Sequence, residues 1–244
     1  EMVVNPNEWQ TRGKKWQDVR TAINKAKRDG ITDVLTTFKE APFSVQTQIR
    51  EISAQWAGKK ALPEMGFTLG GVDELIDSRV RLLYAVDGNG KVLGVTSWLP
   101  TYRDGTIIGW TLDFMRHRTD SVNGIMEFLI ARMAERLRDE GNVEFMSLSA
   151  APLAGMGSNE SEHEESEVLR HALQMVADIM EPAYGFHSLF RFKLKFHPDE
   201  EKVYICYPDA AKLPQISLAV AQAYVPSLTP AEAMRFVRTI APRD

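Results

Sequence analysis

The chain has 244 residues, 44% hydrophobic and 25% charged, with a formal net charge of −4. This bounds it to one large or two modest globular domains and by itself argues against a generic nucleic-acid binder, which would be basic overall. The longest strongly apolar run, Ile216 to Val225, is half of the roughly 20 residues that a membrane-spanning helix needs, and EMVVNPNEWQ does not read as a signal peptide. A single cysteine, Cys206, excludes an internal disulfide and fits a reducing compartment.

Charge is unevenly spread. Between Arg12 and Arg28 stand seven bases and one acid, Asp18, so this segment carries +6 and the remainder −10. Such asymmetry points to a local anionic partner on an acidic body. The same stretch is predicted helical, because Trp16, Val19, Ile23 and Ala26 recur at three- and four-residue steps and Gly30 follows the last turn. Most of its bases fall off that stripe. ITDVLTTF then reads as a strand and SVQTQIREISAQWAG as a second amphipathic helix.

Beyond Gly66 the pattern changes. VRLLYAVDGNGKVLGVTSWLPTYRDGTIIGWTLDFM reads as three strands joined by the turns DGNGK and YRDGT. SVNGIMEFLIARMAERLRDEG is a helix with Met126, Leu129, Ile130, Met133 and Leu137 on its apolar face. VEFMSLSAAPL is a strand running into a loop, GSNESEHEES an acidic surface loop, and EVLRHALQMVADIM a helix. LFRFKLKF and KVYICYP are predicted strands, the latter burying Cys206, and Leu213–Val225 and Pro230–Ile240 are predicted helical. The order predicts an α+β fold, a mixed sheet flanked by helices, as used by GNAT-type acyltransferases. Residues 1–60 are expected to be the remainder of a first lobe, and residues 61–244 a second lobe with C-terminal helices.

Several chemistries lack their residues. The five histidines show no H-E-x-x-H or short Cys/His spacing, so no metal centre is expected. There is no G-x-S-x-G elbow, no P-loop and no G-x-G-x-x-G. At the strand-to-helix turn where acyl-CoA enzymes cradle pyrophosphate, this chain has RHRTDSVNG, without the R-x-x-G-x-G spacing that lets backbone N–H groups wrap a phosphate. A CoA donor is therefore not expected. Asp113 and Arg116, in DFMRHRTDSVNG, admit two readings. One is an exposed ion pair of little worth; the other is an acid for a substrate ammonium beside a guanidinium for a carbonyl or phosphate.

Taken together, KKWQDVRTAINKAKRDG, EMGFTLG, LPTYRDG, LDFMRHRTDSVNGIMEFL, LSAAPLAG and YGFHSLFRFKLKFHP, in this order, resemble the cytosolic catalytic domain of bacterial phosphatidylglycerol lysyltransferases, the multiple peptide resistance factor family. The similarity covers about residues 10 to 225. The resemblance implies a tandem GNAT-like fold, here with its first lobe incomplete. It implies transfer of an amino acid, lysine above all, from aminoacyl-tRNA to phosphatidylglycerol, altering membrane surface charge and resistance to cationic peptides. The tRNA and the lipid would enter a tunnel from opposite ends, at the cytoplasmic face of the membrane. Family members often carry a membrane-embedded flippase domain, absent from this chain. The aminoacyl ester is already activated, so no cofactor is expected.

On this reading Asp113 holds the donor's α-amino group and Arg116 its carbonyl or the terminal ribose-phosphate. Glu127, Tyr102, Ser147 and Ser149 line the aminoacyl site, with Glu127 facing a cationic side chain; its alternative role is a first-turn acid favoured by the helix dipole. Lys14, Lys15, Arg20, Lys27 and Arg28 grip the tRNA acceptor stem. Arg191, Lys193 and Lys195, alternating along one strand face, hold the lipid phosphate. Two rivals remain: a Fem-type peptidoglycan-bridge aminoacyltransferase, and a non-catalytic module that binds tRNA or membrane.

Overall fold

The structure, a computed structural model, describes residues 1–57, 70–150, 186–204, 206–212, 215–216, 219 and 223. The chain divides into two units, one of residues 1–59, 69–150 and 193–201, the other of residues 60–68, 151–192 and 202–244. This differs from a split at residue 60, because strands from the first 60 residues lie in one sheet with those of residues 81–147.

That sheet has seven strands: β1 (Met2–Val4), β2 (Thr32–Thr36), β3 (Arg81–Val86), β4 (Val92–Arg103), β5 (Thr106–His117), β6 (Phe145–Ser147) and β7 (Asp199–Glu200). Their order is β2-β3-β4-β5-β6-β1-β7. All neighbours are antiparallel except β5 and β6, which run parallel with Thr111 opposite Ser147. The mixed α+β architecture is therefore as expected. The β4–β5 hairpin closes on Asp104 (φ 50°) and Gly105 (φ 79°), the two left-handed positions that an Asp-Gly hairpin turn supplies.

Helices cover both faces: α1 (Gln17–Arg28), α2 (Phe43–Ala57) and α3 (Ile125–Glu140). Adjacent residues of β4 show the division. A Cβ on Gly94 would strike Met126 and Ile125 of α3, whereas Val95 packs with Val45, Ile49 and Ile52 of α2 and Phe114 of β5. α1 in turn lies on α3. It stops where Gly30, at φ 67°, turns the chain so that its N–H reaches Lys27 O and that of Ile31 reaches Ala26 O, the paired bonds of a left-handed C-terminal cap. Lys25, Lys27 and Arg28 in that last turn also suit the negative end of the helix dipole.

Two predicted strands are corrected. LFRFKLKF alternates apolar and basic residues, yet Phe186–Leu194 is a helix, α4. Its buried positions, Lys193 and Phe196, are three apart, a helical step, and one of them is a lysine that an alternation count takes as outward-facing. KVYICYP forms no strand among its described residues, and Cys206 is exposed rather than buried. The predicted GSNESEHEES loop, the EVLRHALQMVADIM helix and most of the tail lie outside the described residues.

Candidate functional site

β5 is irregular where Asp113 sits. Thr96 opposes Met115 and Trp98 opposes Leu112, so Asp113 and Phe114 together oppose Ser97, a two-for-one bulge. The Ser97 hydroxyl accepts the Phe114 N–H at 3.1 Å, replacing the ladder bond that the bulge removes. In a regular strand residues three apart face opposite sides. The extra residue changes that parity and puts Asp113 on the α2 side with Phe114 and Arg116.

Asp113 Oδ1 accepts the N–H of Gly70 at 3.1 Å, and a Cβ on Gly70 would overlap Oδ2 at 1.8 Å, so only glycine lets the backbone approach. Burial pushes the Asp113 carboxyl above its ordinary range; the Gly70 N–H opposes this and the charge of Glu74 adds to it. No cation among the described residues pairs with this acid. It is a half-buried carboxylate ready to accept an ammonium.

Arg116 is deeply enclosed, 5% exposed. Its guanidinium lies 4.3 Å from the Trp56 ring centroid and 4.4 Å from that of Phe114, and donates to the Ser53 hydroxyl. It fastens β5 to α2 and places a positive charge on the Asp113 side of the sheet. The other two bases of the string are also engaged. Arg118 donates to Val92 O at 2.8 Å and to Gln48 Oε1 at 3.2 Å, and meets Glu51 at 3.3 Å, tying β4 to α2. His117 Nδ1 lies 2.7 Å from Arg118 O and 3.0 Å from the Ser121 hydroxyl.

The two serines lie beside the bulge. β6 ends at Ser147 while β5 runs on to His117, so the parallel strands part after Thr111. Ser147 is fully buried; its hydroxyl donates to Glu1 Oε1 at 2.6 Å and accepts the Ser149 N–H at 2.9 Å. Ser149, at φ 65°, donates its hydroxyl to the carbonyl of Leu112, next to Asp113. Lys193 Nζ donates to Ala150 O at 3.0 Å and Ser149 O at 3.4 Å. Lys195 meets Glu127, in the first turn of α3, at 2.7 Å. The structure thus gathers Asp113, Ser147, Ser149 and Lys193 around the end of β6, and pairs Glu127 with Lys195.

Other expected residues stand apart. Tyr102 is exposed and opposes Ile107, five strand positions from Ser97, or about 16 Å along β4. Arg191 is exposed on α4. Arg20 leaves the exposed basic set, because its guanidinium donates to Thr11 O at 2.7 Å and to Gly13 O. Lys14, Lys15, Lys27 and Arg28 are exposed, and a hollow of about 490 Å³ is lined by Thr21, Asn24, Lys27 and Arg28. These bases sit on the α3 side of the sheet, opposite to Asp113. At the start of the basic segment His197 Nε2 donates to Lys15 O at 3.1 Å and its ring packs on Trp16.

Sequence reasoning missed Ser97, Ser53, Trp56 and Gly70 as supports of this site. The GG pair was the one signal available for the close approach to Asp113; nothing in the strand pattern marks the bulge. Among the described residues no three His, Cys, Asp or Glu side chains converge as a metal would require, and no helix is long and apolar enough to cross a membrane.

Comparison with known proteins bears on this arrangement. The chain is 42% identical over 214 residues to an uncharacterized protein of Corynebacterium glutamicum, covering 88% of this chain and 26% of that one. It is 30% identical over 213 residues to the phosphatidylglycerol lysyltransferase of Bacillus subtilis, covering 85% of this chain and 23% of that one. The chain thus spans about a quarter of the length of these relatives. The structure of L-PGS from Bacillus licheniformis superposes with a TM-score of 0.72 at 24% identity, over 92% of this chain and 65% of that one, which shows a common fold. The family model described as phosphatidylglycerol lysyltransferase, C-terminal, matches residues 1–207, and the chain belongs to that family.

Proposed function

We propose that the chain catalyses transfer of an amino acid, lysine in the first instance, from aminoacyl-tRNA to a headgroup hydroxyl of phosphatidylglycerol, on a GNAT-like scaffold at the cytoplasmic face of the membrane. The observation that carries the reading is the bulged Asp113: a carboxylate without a cation partner among the described residues, facing the α2 side where β5 and β6 part, in a chain of this family. Such a group suits the α-ammonium of an aminoacyl ester. Arg116 supplies a fixed positive charge on the same side, and the activated ester needs only positioning and stabilisation of the developing oxyanion. The exposed bases of α1 and the turn before it grip the tRNA backbone. Glu127 lines the aminoacyl side-chain site, and a lysyl ammonium there would exchange with Lys195. In the cell the product reduces the negative charge of the membrane and favours resistance to cationic peptides, with a membrane-embedded flippase domain as the partner that moves it.

The test is incubation with a panel of charged tRNAs and vesicles of phosphatidylglycerol, other lipids or a lipid-linked muropeptide, followed by mass spectrometry. An aminoacylated phosphatidylglycerol formed only with charged tRNA is expected. Transfer to the muropeptide alone would move the chain to the Fem-type reaction. Salt-sensitive tRNA binding without any transfer would make it a binding module.

A further inference from the structure

Lys193 is 3% exposed, and among the described residues its nitrogen has two partners, the carbonyls of Ser149 and Ala150 at 3.4 and 3.0 Å. No carboxylate of the described residues lies in ion-pair contact with it. An ammonium in that position has three N–H donors for two acceptors and leaves a charge unpaired in a dry site. A neutral amine fits: two N–H groups meet the two carbonyls, and the lone pair is left for a third direction.

The surrounding charges do not restore the cation. Glu1 is the acid that acts on it, and its carboxylate is bonded to the Ser147 hydroxyl. Glu127 of α3 is taken by Lys195. Asp113 of β5 lies beyond Leu112, whose carbonyl accepts from Ser149, and Arg191 on the same helix is exposed. Burial accordingly pulls the Lys193 amine down to about 8, with Glu1 opposing. The carbonyls it holds belong to the turn that abuts the Asp113 bulge.

We propose that neutral Lys193 is the general base of the transfer and not a ligand of the lipid phosphate. This rests on the aminoacyl-tRNA and phosphatidylglycerol reading. The lipid hydroxyl oxygen bonds to the ester carbonyl carbon while its proton passes to the Lys193 lone pair. The tetrahedral adduct then collapses: the bond to the tRNA's terminal ribose oxygen breaks, and that oxygen takes the proton from Lys193. The products are the aminoacyl lipid and a free ribose hydroxyl, and the amine is neutral again. No further reactant is consumed.

The experiment follows transfer from charged tRNA to phosphatidylglycerol vesicles between about pH 6 and about pH 10 for the wild type, Lys193→Met, Lys193→Arg and Lys193→Ala, with thermal unfolding of each. Wild-type kcat is expected to rise with pH and level off above about 8. Met and Arg variants are expected to lose at least about a hundredfold in kcat while folded, and small primary amines to restore turnover to the Ala variant. A phosphate ligand predicts the opposite, since arginine keeps the charge. An Arg variant within about threefold of wild type, or an unchanged pH limb in a folded Met variant, overturns the base assignment. So does failure of amines to rescue a folded Ala variant; where Ala or Arg does not fold, the Met profile decides. A wild type that transfers to no lipid removes the parent reading, and the base role with it.

Discussion

Half-buried Asp113 and buried Lys193 each sit where the charged form is disfavoured, and the signs can be followed separately. Burial raises the Asp113 pKa, so ionisation above the folded pKa lowers stability, and the penalty is relieved as pH falls through that value. Asp113→Asn keeps the shape and the acceptor for the Gly70 N–H. Its melting temperature near neutral pH is expected to equal or exceed that of the wild type, while transfer falls at least about a hundredfold. A folded variant with wild-type turnover would take Asp113 out of the site. Lys193 is a base whose pKa is lowered to about 8, so its protonation in the folded state is the unfavourable step. Its contribution is least favourable below pH 8 and improves as pH rises from there toward the unfolded value of 10.5. Lys193→Met removes a penalty of roughly 3 kcal/mol at neutral pH by this arithmetic. Urea unfolding of both proteins at several pH values checks it: the stability gap is expected to narrow as pH rises past 8, and a constant gap would contradict a neutral-favouring site.

At the scale of elements, the joint between α1 and α3 is set by one residue. Gly124 has φ 92°, and a Cβ there would come within 2.9 Å of the Ala22 Cβ. Gly124→Ala therefore meets both backbone strain and a helix–helix clash, and is expected to cost about 2 kcal/mol, read as a lower denaturant midpoint. A neutral substitution would mean that α1 yields freely. The long elements were legible in the sequence for simple reasons: α1 and α2 each bury one face, so period and burial agree, while β3 and the start of β4 are short apolar runs buried on both sides of a covered sheet. β1 was not, since three residues carry no period and its partner Ser147 lies far along the chain. α4 was misread because Lys193 is buried. In the site, Asp113 and Arg116 stood out as charges at a strand end, but the parity that puts them on one side depends on a bulge opposite Ser97, which no local pattern announces. The sequence likewise marked Lys193 as a cation, and only its carbonyl partners show an amine better suited to the neutral form.

At the scale of the whole chain, the +6 segment on a −4 protein becomes a surface with a side. α1 lies on α3, and Asp113 lies across the sheet, so the bases proposed to hold a tRNA backbone are separate from the group proposed to hold its aminoacyl end. The exposed bases fall at two places, Lys14 and Lys15 before α1 and Lys27 and Arg28 at its end, roughly 18 Å apart at 1.5 Å per residue. That span exceeds a single phosphate and favours a grip at two points on the backbone. Arg20 between them is bound to the carbonyls of Thr11 and Gly13 and holds the turn instead. These roles separate in a salt titration of tRNA binding, because each phosphate neutralised contributes roughly 0.7 to 0.9 to the slope of log K against log salt. Lys27→Gln with Arg28→Gln is expected to reduce the slope by about 1.5 and leave the melting temperature unchanged. Arg20→Gln is expected to leave the slope within error and lower the melting temperature, since it frees two carbonyls at the start of the helix. Equal slopes for the wild type and the Lys27/Arg28 variant would place the tRNA elsewhere on the molecule, and a slope change for Arg20→Gln in a fully folded protein would return that residue to the binding face.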